Sequence, residues 1–241
     1  GGPDRKSNEG GGPYDQLIIR GVTMIDGTGG PPTGPVDIVV EKNKIVDIVS
    51  VGVPHIAIDP AKRPKLATKG NVKEIDATGK FIMPGIVDLH VHTGGSEKAP
   101  EAEYTYKLWL ANGITTVRGV PAGELDWSLA EKARSASNKI VAPRIISFHR
   151  PGSGKEWEGR KILTPADAKE WVQYAKKKGV DGLKLGSYRP EIMKALLDEA
   201  NSLGMGSTAH LAQSGVAQMN ALDASRLGLT SMTHFYGRSE E

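Results

Sequence analysis

From Phe81 to His234 the chain alternates short apolar strands with amphipathic helices, and that alternation narrows its fold more than any other feature. Strands are expected at 81–91, 114–120, 144–148, 182–186, 205–210 and 229–234. Helices are expected at 101–111, 124–137, from Thr164-Pro165 to 178, at 190–203 and at 214–227. The punctuation agrees: Asn112-Gly113 and Gly179 are C-cap signals, and Thr164 with Pro165 is an N-cap followed by a first-turn proline. Ala168, Trp171, Val172 and Ala175 have the spacing of one buried helix face. Repeated βα units with right-handed crossovers give an open doubly wound sheet or a (β/α)8 barrel. No GxGxxG follows the first strand, which counts against a dinucleotide-binding sheet. In a barrel, catalytic groups collect where the strands end.

The strand ends are where the histidines lie. The first strand, FIMPGIVDLHVH, reads as buried and ends in His90 and His92 before a Thr93-Gly94-Gly95 loop. Two residues apart on a strand, the two imidazoles share a face, about 7 Å apart, and can share one metal ion. His149, His210 and His234 end the third, fifth and sixth strands, and only His55 lies elsewhere, in an irregular loop. The chain has no cysteine, so a metal site needs His, carboxylate or a modified Lys. Lys184 interrupts an apolar strand between Gly182 and Gly186. It reads either as a lysine reaching for solvent at a barrel rim or as an amine of depressed pKa. In the second case it reacts with CO2, and the carbamate bridges two divalent ions. Asp88 shares the histidine face and is expected to support the site rather than ligate.

Other strand-end residues are expected to touch substrate: His149 and Arg150, Tyr188 and Arg189, and Tyr236, with Arg118 a lesser candidate. Such residues suit a carboxylate, as in an N-acyl amino acid or a dipeptide with a free C-terminus. The Gly-flanked loop around Trp157 is expected to act as a lid.

Upstream, residues 1–14 read as a flexible Gly-rich tail. Residues 15–80 carry short β-branched runs, with Gly21 breaking one of them and a hairpin around residues 41–44. This small β unit has too few large apolar residues to stand alone. Net charge is +3, too even to argue for a nucleic-acid partner, and no apolar run approaches a membrane span.

Taken in order, these segments resemble the amidohydrolase superfamily of metal-dependent hydrolases, in the branch of imidazolonepropionase-like enzymes and metal-dependent prolidases and carboxypeptidases. The resemblance runs from about Asp15 to the end. It rests on IIRGVTMIDGTGG, VDIVVEKNKIVDIVS, MPGIVDLHVHTG, GLKLG, STAHLAQSG and SMTHFYG. It implies an α/β protein: a TIM barrel, of which about six strands are present in residues 81–241, with an N-terminal β-sandwich unit. By the same resemblance His90 and His92 bind the more buried metal, Lys184 bridges as a carbamate, and His210 and His234 bind the more exposed metal. Zinc is the expected ion, with Mn, Co or Fe allowed, and CO2 supplies the carbamate. A metal-bridged hydroxide then cleaves the C–N bond of a small-molecule amide, dipeptide or cyclic amide. Lys184 and His234 are the residues expected to take part in catalysis. A lactonase or ester hydrolase, a deaminase and a non-catalytic scaffold are the alternatives.

The chain also departs from the pattern. The Asp that the superfamily carries on an eighth strand has no counterpart here, and Glu240 and Glu241 do not replace it. The expectation is that the rest of the same enzyme, or a second chain, supplies it, and that residues 1–241 alone are inactive. The superfamily allows a homo-oligomer. The Gly-rich start, without Met, suggests a processed, secreted or periplasmic protein, with the cytoplasm as alternative.

Overall fold

The computed structural model describes residues 1–93, 101–121 and 123–234. The chain divides into two compact units, Lys6–Gly85 and the pair of segments Gly1–Arg5 and Ile86–Glu241.

The first unit is built on one five-stranded sheet of β1 (Gln16–Met24), β2 (Thr33–Glu41), β3 (Lys44–Ser50), β4 (Val72–Asp76) and β5 (Phe81–Ile82). β1–β2 and β2–β3 are antiparallel, while β4 and β5 run parallel to β1. The hairpin closes with Glu41 opposite Lys44. Gly21 does not end its strand as expected. β1 runs through it, with φ +70° at Gly21 and a register shift between Ile19 and Val22. Glycine tolerates that conformation, so the chain bulges instead of breaking. The displaced Gly21 N–H donates to Asp37 Oδ1 at 2.8 Å. Asp37 is fully buried and also accepts from Arg20 and twice from Arg63, each at 2.9 Å. The apolar core of this unit is small, centred on Val22, Val36, Ile38 and Ala77.

The second unit alternates β6 (Ile86–Val91), α1 (Ala102–Ala111), β7 (Ile114–Gly119), α2 (Leu125–Ala136), β8 (Arg144–His149), α3 (Pro165–Lys178), β9 (Gly182–Leu185), α4 (Pro190–Ser202), β10 (Gly206–Ala209), α5 (Ala221–Arg226) and β11 (Ser231–Met232). The six strands form one parallel sheet in sequence order, from β6 at one end to β11 at the other. It is a curled half-barrel. Its core lies between the sheet and the helices, where Leu183 and Leu185 meet Trp171 and Val172 of α3 and Met193, Leu196 and Leu197 of α4. The predicted cap of α3 forms: Thr164 Oγ1 accepts from the Asp167 N–H, and the Asp167 carboxylate accepts from the Thr164 N–H. This is a capping box.

Four expectations change. The first strand is not buried: Phe81, Met83, Ile86, Val87 and Leu89 are exposed, and only Val91 is buried. Among the described residues β6 has a neighbouring strand on one side alone. The last helix is six residues long rather than fourteen, because the Asn220 side chain accepts from the Asp223 N–H and starts it there. Trp157 is 2% exposed and packed into the core, with the Arg160 guanidinium 3.7 Å above its ring, so its loop is anchored rather than lid-like. Gly1–Arg5 do not behave as a tail. Gly2 N–H donates to Glu131 Oε2 at 2.8 Å, Asp4 pairs with Arg134, and Arg5 N–H donates to Lys139 O.

Candidate active site

The curl of the sheet brings together histidines that are far apart in sequence. His90 is the last residue but one of β6, His92 follows the strand, and His210 and His234 lie just past β10 and β11. The rings of His90 and His234, from opposite ends of the sheet, have centroids 4.9 Å apart. His210 and His234 are also 4.9 Å apart, and His90 and His92 are 5.0 Å apart. His234 adopts φ +62°, a left-handed conformation that costs a non-glycine residue about 1–2 kcal/mol. Strain of that kind concentrates where a side chain must be aimed.

Tautomers follow from the hydrogen bonds. His92 Nδ1 lies 3.1 Å from Pro121 O, which can only accept, so Nδ1 carries the hydrogen and Nε2 keeps its lone pair. That Nε2 faces His90 Nε2 at 3.1 Å. The Asp88 carboxylate accepts from the His90 backbone N–H at 3.0 Å and so braces the strand end. Burial, then the charge of Lys184, pushes the His90 imidazole down to about 4. His92 and His210 are lowered by the same two influences, with the Pro121 bond opposing the shift at His92.

Lys184 is buried, and its Nζ donates to Thr233 Oγ1 at 3.2 Å. It shares a sheet face with Gly182, two residues back. A Cβ at Gly182 would overlap the Phe148 ring, so the glycine there is required by close packing. Burial, then the charges of Arg150 and Arg118, pushes the Lys184 ammonium down to about 8. No carboxylate figures among those influences. The surroundings of Lys184 therefore shift it toward the neutral amine.

The substrate candidates divide. Arg150 is exposed, and its charge acts on Lys184, His92, His210 and Tyr188, so it stands at the histidine cluster. Tyr188 is half-buried, and burial raises its phenol pKa. Arg189 is committed elsewhere: it donates to Leu163 O at 2.7 Å and pairs with Glu191 at the start of α4. His149 is not brought to the cluster. It is 1% exposed, with Nε2 2.6 Å from Ser128 Oγ of α2 and 3.0 Å from Ser147 Oγ. Its side chain lies on the helix-facing side of β8, so the expectation of a substrate contact is corrected. Tyr236, Gly94 and Gly95 lie outside the described residues.

Arg118 is more central than its place on the second strand suggests. Its guanidinium lies 5.0 Å over the Phe148 ring and donates to Leu89 O, Ser231 Oγ and Thr208 Oγ1. An arginine inside an otherwise uncharged β-branched strand was the available signal.

The family model of the amidohydrolase family matches residues 81–240, more than half of the chain. The chain belongs to the amidohydrolase family. Among curated relatives, an adenine deaminase of Methanoculleus marisnigri is 34% identical over 119 residues, which is 46% of this chain and 21% of that protein. A dihydroorotase of Trichlorobacter lovleyi is 32% identical over 133 residues, 54% of this chain and 26% of that one. A solved Xaa-Pro dipeptidase with bound methionine superposes with a TM-score of 0.64 at 21% identity, over 91% of this chain and 61% of its own. A solved molinate hydrolase gives 0.65 at 20% identity, over 94% and 59%. At those identities the structural likeness concerns the fold. The matches thus span about a quarter or less of these curated relatives and about three fifths of the solved chains.

The family uses divalent metals, and the donors present suit them. Two nitrogens held about 2.05 Å from a tetrahedral ion lie about 3.3 Å apart, close to the separation of the His90 and His92 Nε2 atoms. Neutral imidazoles and an amine able to become an anion are a donor set for a divalent first-row ion. Among the described residues no group of three or more His, Asp or Glu side chains is already arranged as a complete metal site.

Proposed function

We propose that the protein hydrolyses the C–N bond of a small amide, a dipeptide or a cyclic amide with the help of two divalent ions, zinc by default. The relatives named above act in keeping with hydrolysis of C–N bonds, and the family match supports that class. One observation carries the finer reading: a buried lysine among imidazoles and arginines, with no acidic partner among the described residues.

In this reading His90 and His92 would hold one ion and His210 and His234 the other, with Lys184 as a further ligand. Bound there, the ions would lower the pKa of a water and polarise a carbonyl. Lys184 must first lose its charge, which burial and the two arginines favour. The neutral Nζ lone pair then attacks the carbon of CO2. An N–C bond forms, one C=O π pair moves to oxygen, and a proton leaves nitrogen for solvent. The resulting anion is compensated by Arg118 and Arg150. Pro121 O holds the His92 tautomer that leaves Nε2 free to ligate. Arg150, with Tyr188 beside it, is placed to take the carboxylate of an N-acyl amino acid or dipeptide, and its charge also draws an anionic substrate to the cluster.

The test is metal analysis of the protein after reconstitution with Zn2+ and bicarbonate, together with native mass measurement of the peptide that contains Lys184. About two ions per chain and an increment of one CO2 are expected, and Lys184→Met should lose both the increment and at least one ion. Retention of no metal by the wild type, or full retention by Lys184→Met, refutes the reading. A screen of dipeptides, N-acyl amino acids and cyclic amides then fixes the substrate. Deamination is the second reading, carried by the adenine deaminase relative, and ammonia release from adenine identifies it.

A further inference from the structure

β6 and β11 are the two ends of the parallel sheet, and among the described residues no backbone ladder joins them. Their histidines nonetheless meet: the His90 and His234 rings are 4.9 Å apart. Arg118, on β7, makes the connection. Its Nε donates to Leu89 O at 2.7 Å, on β6 directly before His90. One terminal nitrogen donates to Ser231 Oγ at 3.0 Å, on β11 three residues before His234. The other reaches Thr208 Oγ1 at 3.5 Å, on β10 two residues before His210. The Phe148 ring of β8 closes one face of the guanidinium.

We infer that Arg118 is a positioning residue, a strut inside the curled sheet that ties the strand bearing His90 and His92 to the strands bearing His210 and His234 and so sets the distance between the two histidine pairs. All of its hydrogen-bond partners among the described residues are uncharged. An apolar side chain fills space at lower cost than a partly buried guanidinium, so filling alone does not account for Arg118. A guanidinium offers what an apolar residue or a lysine cannot: a rigid planar fork whose donors reach three strands at once. The acceptors are matched to it, since Ser231 and Thr208 are opposite one another in the β10–β11 register. The metal-dependent part of this inference rests on the function proposed above.

The experiment uses the protein with Arg118→Met, Arg118→Lys, Ser231→Ala and the double variant Arg118→Met/Ser231→Ala. Two measurements are made: Co2+ binding with its visible absorption spectrum, and urea unfolding of the metal-free protein. Arg118→Met is expected to weaken binding of the second ion roughly 10- to 100-fold and to alter the Co2+ bands, as loss of a ligand-orienting partner does. Arg118→Lys keeps the charge but not the fork and should not restore either. Ser231→Ala, which keeps the arginine, should weaken second-ion binding less than Arg118→Met does. In unfolding, the double variant should lie closer to Arg118→Met than additivity requires. Wild-type metal affinity and spectrum in Arg118→Met or Arg118→Lys, or a strictly additive cycle, overturns the strut. A wild type that binds no Co2+ but shows the coupled cycle refutes the metal reading and leaves the strut standing.

Discussion

Replacing His149 with leucine separates the two roles this residue could have. Its Nε2 is bonded to Ser128 Oγ and Ser147 Oγ inside the protein, and burial pushes the imidazole from 6.5 down to about 4. At pH 7.5 the ring is neutral in both folded and unfolded chains, so the substitution removes one hydrogen bond, which Nε2 shares between the two serines and which is worth about 1 kcal/mol. The serines keep partners, since Ser128 Oγ still meets Ser147 Oγ and Leu125 O. His149→Leu should therefore lose about 1 kcal/mol at pH 7.5. Below pH 6.5 the unfolded chain takes up a proton at this position that the folded chain refuses. Stability contributed by the wild-type residue therefore falls as pH drops through that value, by about 2 kcal/mol at pH 5, and levels off near 3 kcal/mol below pH 4. The variant does not carry this loss. Urea unfolding of both proteins should show a gap of about 1 kcal/mol at pH 7.5 that closes near pH 6. Taking the difference between the proteins cancels the contributions of His90, His92 and His210. The kcat/KM of the folded variant should stay close to wild type. A gap that does not change with pH, or a large fall in kcat/KM in a well-folded variant, refutes the buried placement and returns His149 to the substrate pocket.

Two further outcomes concern stability. Asp37→Asn leaves Arg20 and Arg63 around a neutral amide and should cost about 3–5 kcal/mol in urea unfolding at pH 7. Burial raises the Asp37 carboxyl, but the bonds from Arg63 and Arg20 outweigh it and hold the group below its ordinary value of 3.8. Its contribution is therefore complete above pH 3.8 and is lost as pH falls through the lower folded value, so the deficit of Asp37→Asn should shrink only in strong acid. Thr164→Ala breaks the capping box of α3 and should cost about 1 kcal/mol, and an unchanged unfolding midpoint would contradict the cap.

Local chemistry made much of this protein legible from its residues alone. The strand–helix alternation, the start of α3 at Thr164 and the hairpin at Glu41 to Lys44 all follow from periodicity and turn chemistry within a few residues. Where local signals compete, distant contacts decide between them. Gly21 can end a strand or bulge it, and the buried Asp37 carboxylate, sixteen residues away, made it a bulge. Asn220 is a cap inside what reads as a longer amphipathic run.

The sequence by itself determined which groups could do chemistry: five histidines and one lysine placed at or near strand ends, with no cysteine to compete. Which of them meet was decided by the tertiary structure. Central strands of a parallel sheet are covered on both faces, so alternation along a strand says that two residues share a face but not which face is the lumen. His149 shares its face with Ser147 and turns toward α2, whereas Lys184 shares one with Gly182 and turns the other way. The meeting of His90 with His234, and the reach of Arg118 across three strands, exist only once the sheet curls. Curling sums the twist of every strand, and no short stretch of sequence records that sum.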